Sequence, residues 1–381
     1  MRPRRPGHAT IYALIALPVM LGVLVLVLWL VRFGDTSTQL RNAGVASALG
    51  GVDTLADDAL LTDDPDRIGP LFEQARKVAA AVGGKNLVEG RPLTLAGPTA
   101  DAPGDLVFGF HEPGADGSFR PLDSDDDGEQ MGRVDAVRLT ARHPWRDKEF
   151  TRLTAVFDRH VAGFRPLPDR AAPLVPVALY DGPSDDGRTP WSEALAGGED
   201  EYTRTSSGGF LFGPDGIKEV VVRVGWQQEE KDGAVCGFPL RLAGATDERA
   251  VEQIAAGLSA ADLSKENGEL RLGGDGTLTA YGDPELFLPD DLDDDRPLER
   301  FRALAKSGEP RVWPVFRKFA DQDEVELVGF TTARVVAAER EKKTGAVRLT
   351  LQPAVLATPT ALTDPARPVR DRTVGRVRIA G

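Results

Sequence analysis

One uninterrupted apolar segment stands out from an otherwise mixed pattern of hydrophobic and polar positions. It covers residues 11–31, IYALIALPVMLGVLVLVLWLV, and contains no charged side chain. An α-helix of ~20 apolar residues is long enough to cross the ~30 Å hydrocarbon core of a bilayer. The pattern therefore predicts a transmembrane helix over residues 11–32, preceded by a basic leader of residues 1–10.

The charges around this segment predict its orientation. Arg2, Arg4 and Arg5 precede it, and basic residues close to a membrane span stay in the cytoplasm. We expect a single-pass protein of the inner (cytoplasmic) membrane, with its N-terminus inside and the bulk of the chain extracytoplasmic. A cleaved signal peptide is the alternative, but its apolar core is about 7–15 residues and a small-residue cleavage site follows it. Here the segment ends in Trp-Leu-Val-Arg-Phe at residues 29–33.

The helical pattern continues beyond the apolar segment, through TQLRNAGVASALGG at residues 38–51. Ala43, Ala46, Ser47 and Gly50 recur at the spacing of one helix face. Small side chains allow close approach, so we expect these four residues, with Asn42, to pack against another helix or a sheet. The pair Gly50-Gly51 predicts the end of the helix.

Period-two alternation replaces helical spacing further along the chain. A second helix is predicted over residues 68–82, and strands are predicted around residues 106–110, 137–141 and 153–157, where apolar and polar residues alternate. Such alternation is typical of half-buried strands in an antiparallel sheet. We therefore expect residues 33–166 to form an α+β unit in which the N-terminal helix packs on a mostly antiparallel sheet.

A proline-rich stretch at residues 166–176 predicts a boundary, after which residues 167–381 form a second, strand-rich region. There we expect helices at 248–258 and 298–306, and strands at 220–226, 312–316, 325–336 and 346–352. The basic stretch from Arg367 to Arg378 is expected to be a frayed tail. The predicted fold class is α+β, with a transmembrane helix extended onto an antiparallel sheet, followed by a second mixed α/β region.

Charge and motifs restrict the function. The net charge of −13 argues against a nucleic-acid partner, because phosphate binding requires clustered Lys and Arg. Cys236 is the only cysteine, so no internal disulfide can form. The sequence contains no HExxH, CxxC, GxSxG, GxGxxG or P-loop motif. We therefore predict no catalytic residue and no cofactor, and a protein that is not an enzyme.

One acidic motif resembles half of a calcium-binding loop. Asp123, Asp125 and Asp127 alternate and are followed by Gly128, as in the first half of an EF-hand loop. The twelfth position, where a bidentate Glu is expected, is Val134. Two interpretations stay open: a solvated acidic loop, or a weak calcium site at these three aspartates.

The N-terminal residues resemble the N-terminal module of TadE/TadG-like proteins of tight-adherence (Flp) pilus assembly. The resemblance rests on the basic start ending in Gly7, the apolar span with Pro18, Asp35 beyond it, and the LRNAGVASALGG tail. Val45 replaces the Asp usual in that tail. Tyr12 stands where prepilin processing needs Glu, so we expect the leader to be retained.

The resemblance implies that residues 33–166 are a pilin-like extracytoplasmic region, and that the chain is a structural or interaction protein rather than an enzyme. Its expected partners are the membrane, other pilus-assembly or envelope proteins, and a second copy of the chain. The alternative is a membrane-tethered extracytoplasmic hydrolase or carbohydrate-binding protein with its site in residues 170–381.

Overall fold

The computed structural model describes residues 7–98, 104–112, 118–123, 126–142, 149–184, 188–225, 234–265, 267–287, 295–321, 323–342, 344–369 and 371–380, with the backbone alone for 7–15, 149, 150 and 265. The α-helices are α1 Gly7–Thr54, α2 Pro65–Lys85, α3 Gly128–Gly132, α4 Trp191–Gly197, α5 Asp247–Ala256 and α6 Arg296–Ser307. Short 3₁₀ turns lie at Asp58–Leu61, Leu242–Gly244 and Asp262–Lys265.

Twenty strands complete the described secondary structure. They are β1 Leu87–Val88, β2 Arg91–Pro92, β3 Leu106–Glu112, β4 Ser118–Pro121, β5 Ala136–Arg142, β6 Glu149–Asp158, β7 Val161–Phe164, β8 Val177–Tyr180, β9 Tyr202–Arg204, β10 Phe210–Phe212, β11 Val220–Val224, β12 Val235–Pro239, β13 Leu270–Arg271, β14 Leu278–Tyr281, β15 Arg311–Asp321, β16 Glu324–Arg340, β17 Val347–Pro353, β18 Leu356–Ala357, β19 Ala361–Thr363 and β20 Val374–Ala380.

Helix α1 is continuous over 48 residues, which at 1.5 Å per residue is roughly 70 Å. The side chains of residues 16–35 are exposed, and most of them are apolar. This half of α1 is long and apolar enough to span a membrane. The second half, from Thr36 onward, has a buried face. One helix thus joins the apolar segment directly to the folded part of the chain.

The second half of α1 and helix α2 cover one face of a six-stranded sheet in the order β18-β20-β6-β5-β3-β4. Large side chains fill the layer between them, and the rings of Phe72 and Phe108 stack with centroids 4.6 Å apart. Gly44 lies where α1 crosses the sheet, and a Cβ there would lie 2.8 Å from Leu153 Cδ1, so the leucine side chain would have to shift. We call this part of the molecule the helix–sheet unit.

The remaining chain is built around a closed barrel. Six strands follow each other in the order β16-β15-β8-β12-β11-β17, and β17 pairs again with β16, while β14 adds to β16 outside the ring. Helix α6 packs on the outside of β16, and the Phe301 and Trp313 rings stack there with centroids 6.4 Å apart. Cys236 is buried on β12.

The C-terminal strand returns to the helix–sheet unit. Strand β20 pairs antiparallel with β6, and β18 pairs with β20 in parallel. The expectation of a frayed tail over 367–378 is therefore wrong for its last part. Val377 and Ile379 alternate with Arg376 and Arg378, and this period-two pattern outweighs the basic composition. The domain boundary between residues 166 and 167 stays a prediction. The chain leaves the helix–sheet unit near this point and returns to it through β18 and β20.

The predicted fold class is confirmed: a long apolar helix extends onto a mostly antiparallel sheet and a second mixed region follows. The predicted helix end at Gly50-Gly51 is wrong, because α1 continues to Thr54. A glycine inside a helix costs about 1 kcal/mol relative to alanine. In this helix the glycine also lies close to α2, because a Cβ on Gly51 would be in van der Waals contact with Ala79 Cβ at 3.5 Å.

Candidate functional site

The five predicted helix-packing residues do not share one environment. Ala43 and Ser47 are buried against the rest of the helix–sheet unit, and Ala46 and Gly50 are half-buried. Asn42 is exposed. The buried face also includes residues that the spacing did not select, namely Thr36, Leu40, Gly44, Ala48, Gly51, Val52 and Leu55. Most of the small-residue face is therefore used inside this chain.

Helix α2 is the element that the small residues approach. A Cβ on Gly50 would lie 3.2 Å from Val82 Cγ2, and one on Gly83 would lie 2.9 Å from Ser47 Oγ. The Ser47 hydroxyl donates to the Ala43 carbonyl at 2.9 Å, which satisfies it without a polar partner on α2. The close contact between α1 and α2 thus depends on glycine at positions 50 and 83.

The calcium candidate is only partly within the described residues. Asp125 lies outside them. Asp127 is the N-cap of α3, where its Oδ1 accepts from the Gln130 backbone N–H at 3.0 Å. The Asp123 backbone N–H donates to Asp126 Oδ2 at 2.8 Å. These contacts explain the acidic turn by local hydrogen bonding, and both interpretations of the motif stay predictions.

An acidic cleft of about 630 Å³ lies on the barrel. Its walls come from the segment around α4 and from β9, β11, β16 and β17. Five glutamates line it, joined by Tyr202 and by one arginine, Arg348. The glutamates are Glu193, Glu199, Glu201, Glu219 and Glu339. Like charges around a concave surface create a negative potential that favours cations, and carboxylates with an aromatic ring also suit sugar hydroxyls.

Glu219 is the most buried carboxylate of the acidic cleft, with 7% of its surface exposed. Burial raises the pKa of Glu219, and hydrogen bonds from Glu201 and Gln352 oppose that rise. Glu219 Oε2 accepts from the Glu201 backbone N–H at 2.8 Å, and Oε1 accepts from Gln352 Nε2 at 2.8 Å. Both carboxylate oxygens of Glu219 therefore accept hydrogen bonds from within the protein. This favours a structural role, in which Glu219 holds the segment around Glu201 in place.

A second group of ionisable side chains, the junction cluster, lies where β20 joins β6. It consists of Asp135, Asp158, Arg159, His160 and Arg378. Asp158 accepts from His160 Nδ1 at 2.9 Å and from Arg378 Nε at 2.6 Å. Burial alone would raise the pKa of Asp158, but these hydrogen bonds outweigh it and hold the pKa well below its usual range.

The other members of the junction cluster are poorly solvated. Burial raises the pKa of Asp135 to about 6, although Arg159 opposes the rise. Burial lowers the pKa of Arg159 to about 10, with Asp135 acting against it. The Arg159 Nη2 group donates to the Val134 carbonyl at 3.3 Å. Ionisable groups with perturbed pKa values gather at functional sites but also in structural networks. Here the network joins β20 to β6 through the Asp158–Arg378 pair.

The structure brings two histidines, His111 and His160, to the junction cluster. Burial lowers the pKa of His111, and the nearby Arg378 and His160 lower it further. Within the part of the chain that the structure describes, no group of three or more His, Cys, Asp or Glu side chains could hold a metal ion.

Sequence reasoning missed both the acidic cleft and the junction cluster. The cleft glutamates are spread from residue 193 to residue 339, and the two ends of the Asp158–Arg378 pair are 220 residues apart. No local spacing signals such sites. The one available signal for the pair is the alternation of residues 376–379. It predicts a strand, and a strand has to pair with another strand of a sheet.

Comparisons with protein-family models, with curated proteins and with solved structures found no match to this chain.

Proposed function

We propose that the chain is a single-pass membrane protein that acts as a non-enzymatic structural or interaction component, of the kind found among TadG-like parts of Flp pilus assembly. Its apolar helix would lie in the inner membrane, with the basic leader in the cytoplasm and both folded parts outside. Its partners would be other pilus-assembly or envelope proteins, with a second copy of the chain as a further candidate.

One observation carries this proposal: α1 runs without a break from exposed apolar residues into a packed core. The side chains of Leu24 and Leu28 are exposed on this helix, and in water such a surface would drive aggregation. A long N-terminal helix whose second half lies on an antiparallel sheet is also the arrangement that the resemblance implies.

The packing of α1 indicates where partners would bind. Since Ala43 and Ser47 are buried within the chain, they are not free for other proteins. Lateral contacts with neighbouring helices would therefore use the apolar half of α1, and extracytoplasmic contacts would use exposed positions such as Asn42. The packing expected of the small-residue face, against another helix or a sheet, would then be made largely within the chain.

Photo-cross-linking in membranes of the native host tests the proposal. A benzophenone amino acid replaces Leu24 in the apolar half of α1, and the matched control replaces Leu211, which is similarly exposed on β10. We expect residue 24 to yield adducts with pilus platform, secretin or pilin proteins, identified by mass spectrometry. Adducts with lipid alone at residue 24, or the same protein adducts at residue 24 and at the control residue 211, would contradict an assembly role of the apolar half of α1.

A membrane-tethered hydrolase or carbohydrate-binding protein is the second candidate, because the acidic cleft is large and contains a buried carboxyl group with a raised pKa. A raised carboxyl pKa is what a glycosidase acid requires. Incubating the full chain with cell-wall and capsular oligosaccharides tests this candidate. We expect neither cleavage nor binding of these oligosaccharides. Cleavage that Glu219→Gln abolishes and Glu193→Gln weakens would favour the hydrolase over the interaction protein.

A further inference from the structure

The short hairpin β1–β2 is fastened to α1 just beyond its apolar half. Glu89, at the turn of the hairpin, accepts from the Thr36 hydroxyl at 2.7 Å and from Arg32 Nε at 3.3 Å. The Glu89 backbone N–H donates to Gln39 Oε1 at 3.0 Å. Three residues of α1, spaced over two turns, thus fix the hairpin at one level of the helix.

That level corresponds to the lipid headgroups. From Val31, the last residue of the apolar segment, to Thr36 the helix rises roughly 7.5 Å at 1.5 Å per residue. The polar layer on each side of a bilayer is roughly 5–8 Å thick, the difference between ~40–45 Å overall and the ~30 Å core. If the apolar segment fills the core, the hairpin therefore lies at headgroup depth.

Aromatic residues mark the same level on α1. The rings of Trp29 and Phe33 stack with centroids 5.7 Å apart, and both are exposed. Tryptophan is enriched at membrane–water interfaces because its ring is amphipathic. These two rings flank Arg32, which contacts Glu89. The interface expected from the aromatic residues and the position of the hairpin thus coincide.

The hairpin presents an apolar side chain with basic neighbours. Leu87 is 59% exposed, whereas the next residue, Val88, is buried in the helix–sheet unit. Lys85 and Arg91 are exposed on either side of it in the chain. The turn has Glu89 and Gly90 at φ of +50° and +77°, which defines a tight two-residue connection between the strands.

We propose that the β1–β2 hairpin is a membrane-surface contact, with Leu87 inserted between lipid headgroups and Lys85 and Arg91 facing lipid phosphates. The occupant of this surface is the bilayer that α1 spans, so the inference rests on the proposed membrane anchoring. The contact holds the helix–sheet unit against the outer leaflet at a fixed angle. The chain as a whole has a net charge of −13, so its surface outside the hairpin is not expected to be attracted to anionic lipid.

Site-directed spin labelling of the full chain tests this contact. The chain is reconstituted in vesicles of equal parts phosphatidylcholine and phosphatidylglycerol, in a Cys236→Ala background. Single nitroxides are placed at residue 87, at residue 24 in the apolar half of α1, and at residue 211. Leu211 is a matched aqueous control because it is 64% exposed and also lies on a two-stranded hairpin. The readout is collision with oxygen relative to a water-soluble nickel chelate.

We expect the ratio of oxygen to nickel collisions at residue 87 to shift from the aqueous value of residue 211 toward the lipid value of residue 24. Lys85→Glu combined with Arg91→Glu should return residue 87 toward the aqueous value. A lipid value at residue 24 with an aqueous value at residue 87 would overturn the hairpin contact alone. An aqueous value at residue 24 would overturn the membrane anchoring, and the hairpin contact with it.

Discussion

The carboxylate of Asp58 and the guanidinium of Arg334 form an ion pair that joins the helix–sheet unit to the barrel across 276 residues of sequence. Asp58 Oδ1 also accepts from the Val355 backbone N–H at 2.8 Å, and Arg334 Nε donates to the Gly308 carbonyl at 3.0 Å. Arg334 is 5% exposed, and burial lowers its pKa while Asp58 opposes the shift. The two parts of the molecule are thus held together by a largely buried charge.

Asp58→Ala should therefore destabilise the protein. Removing one partner leaves the buried Arg334 charge uncompensated, and such changes cost about 3 kcal/mol of unfolding free energy. The matched control is Glu73→Ala, which breaks an exposed pair with Arg76 one helical turn away and should cost less than about 0.5 kcal/mol. Urea unfolding of the full chain in detergent measures both, and equal losses in the two variants would contradict the structural role of Asp58.

Gly44→Leu should weaken the packing of α1 on the sheet. A Cβ at this position already lies 2.8 Å from Leu153 Cδ1, so a larger side chain must displace the helix, at about 2 kcal/mol. Gly34→Leu on the same helix meets nothing within 4 Å and should gain about 0.5–1 kcal/mol from helix propensity. Gly50→Leu should also destabilise, through contact with Val82. A stable Gly44→Leu variant with an unchanged melting temperature would contradict the observed packing.

Asp158→Asn should reveal a pH-dependent attachment of β20. The pKa of Asp158 is lower in the folded state, because His160 and Arg378 hydrogen-bond to its carboxylate. Its stabilisation is therefore present above the unfolded pKa of about 3.9 and is lost as pH falls through the folded value. The other titratable groups that face this site are His111 and Asp135.

The difference in unfolding free energy between the native chain and Asp158→Asn should be about 2 kcal/mol near pH 6 and should shrink steadily below pH 4. Glu129→Gln, which alters an exposed pair with Arg133, serves as the control and should show little difference at either pH. A difference that stays constant as the solution is acidified would mean that the ionised Asp158 does not hold the strand.

Asp127→Ala distinguishes a helix cap from a calcium ligand. Loss of the hydrogen bond to the Gln130 backbone N–H should cost about 1 kcal/mol without any added metal. Calcium should raise the melting temperature of neither the native chain nor the variant. A rise that occurs only in the native chain would instead assign the Asp123–Asp127 loop to calcium binding.

The sequence predicted the elements whose pattern is local. The helix over residues 68–82 and the strands near 312–316 and 325–336 are confirmed within longer elements, and the strand near 346–352 is confirmed with a shift of one residue, as Val347–Pro353. These elements depend on repeated apolar positions within a few residues of one another. The strand over residues 220–226 is confirmed as far as Val224, and Trp226 lies outside the described residues.

The sequence failed where a residue's role depends on a distant partner. Gly50 and Gly51 are helix breakers by propensity, but both lie inside α1, and α2 approaches Gly50 so closely that a Cβ there would lie 3.2 Å from Val82 Cγ2. Arg378 belongs to a basic tail by composition, but Asp158 makes it part of a sheet. The acidic cleft, likewise, is assembled from five separate segments between residues 189 and 350. Barrel closure and the return of β20 determine these sites, and neither leaves a local signal.

Cysteine accessibility in cells would decide whether α1 anchors the barrel outside the cytoplasm. Leu211→Cys in the Cys236→Ala background is treated with a membrane-impermeant maleimide in intact spheroplasts of the native host, followed by a carbonate wash of the membranes. We expect residue 211 to be labelled without permeabilisation and the chain to remain in the membrane pellet. Labelling only after lysis, or release of the chain into the carbonate supernatant, would contradict a single-pass anchor with an extracytoplasmic barrel.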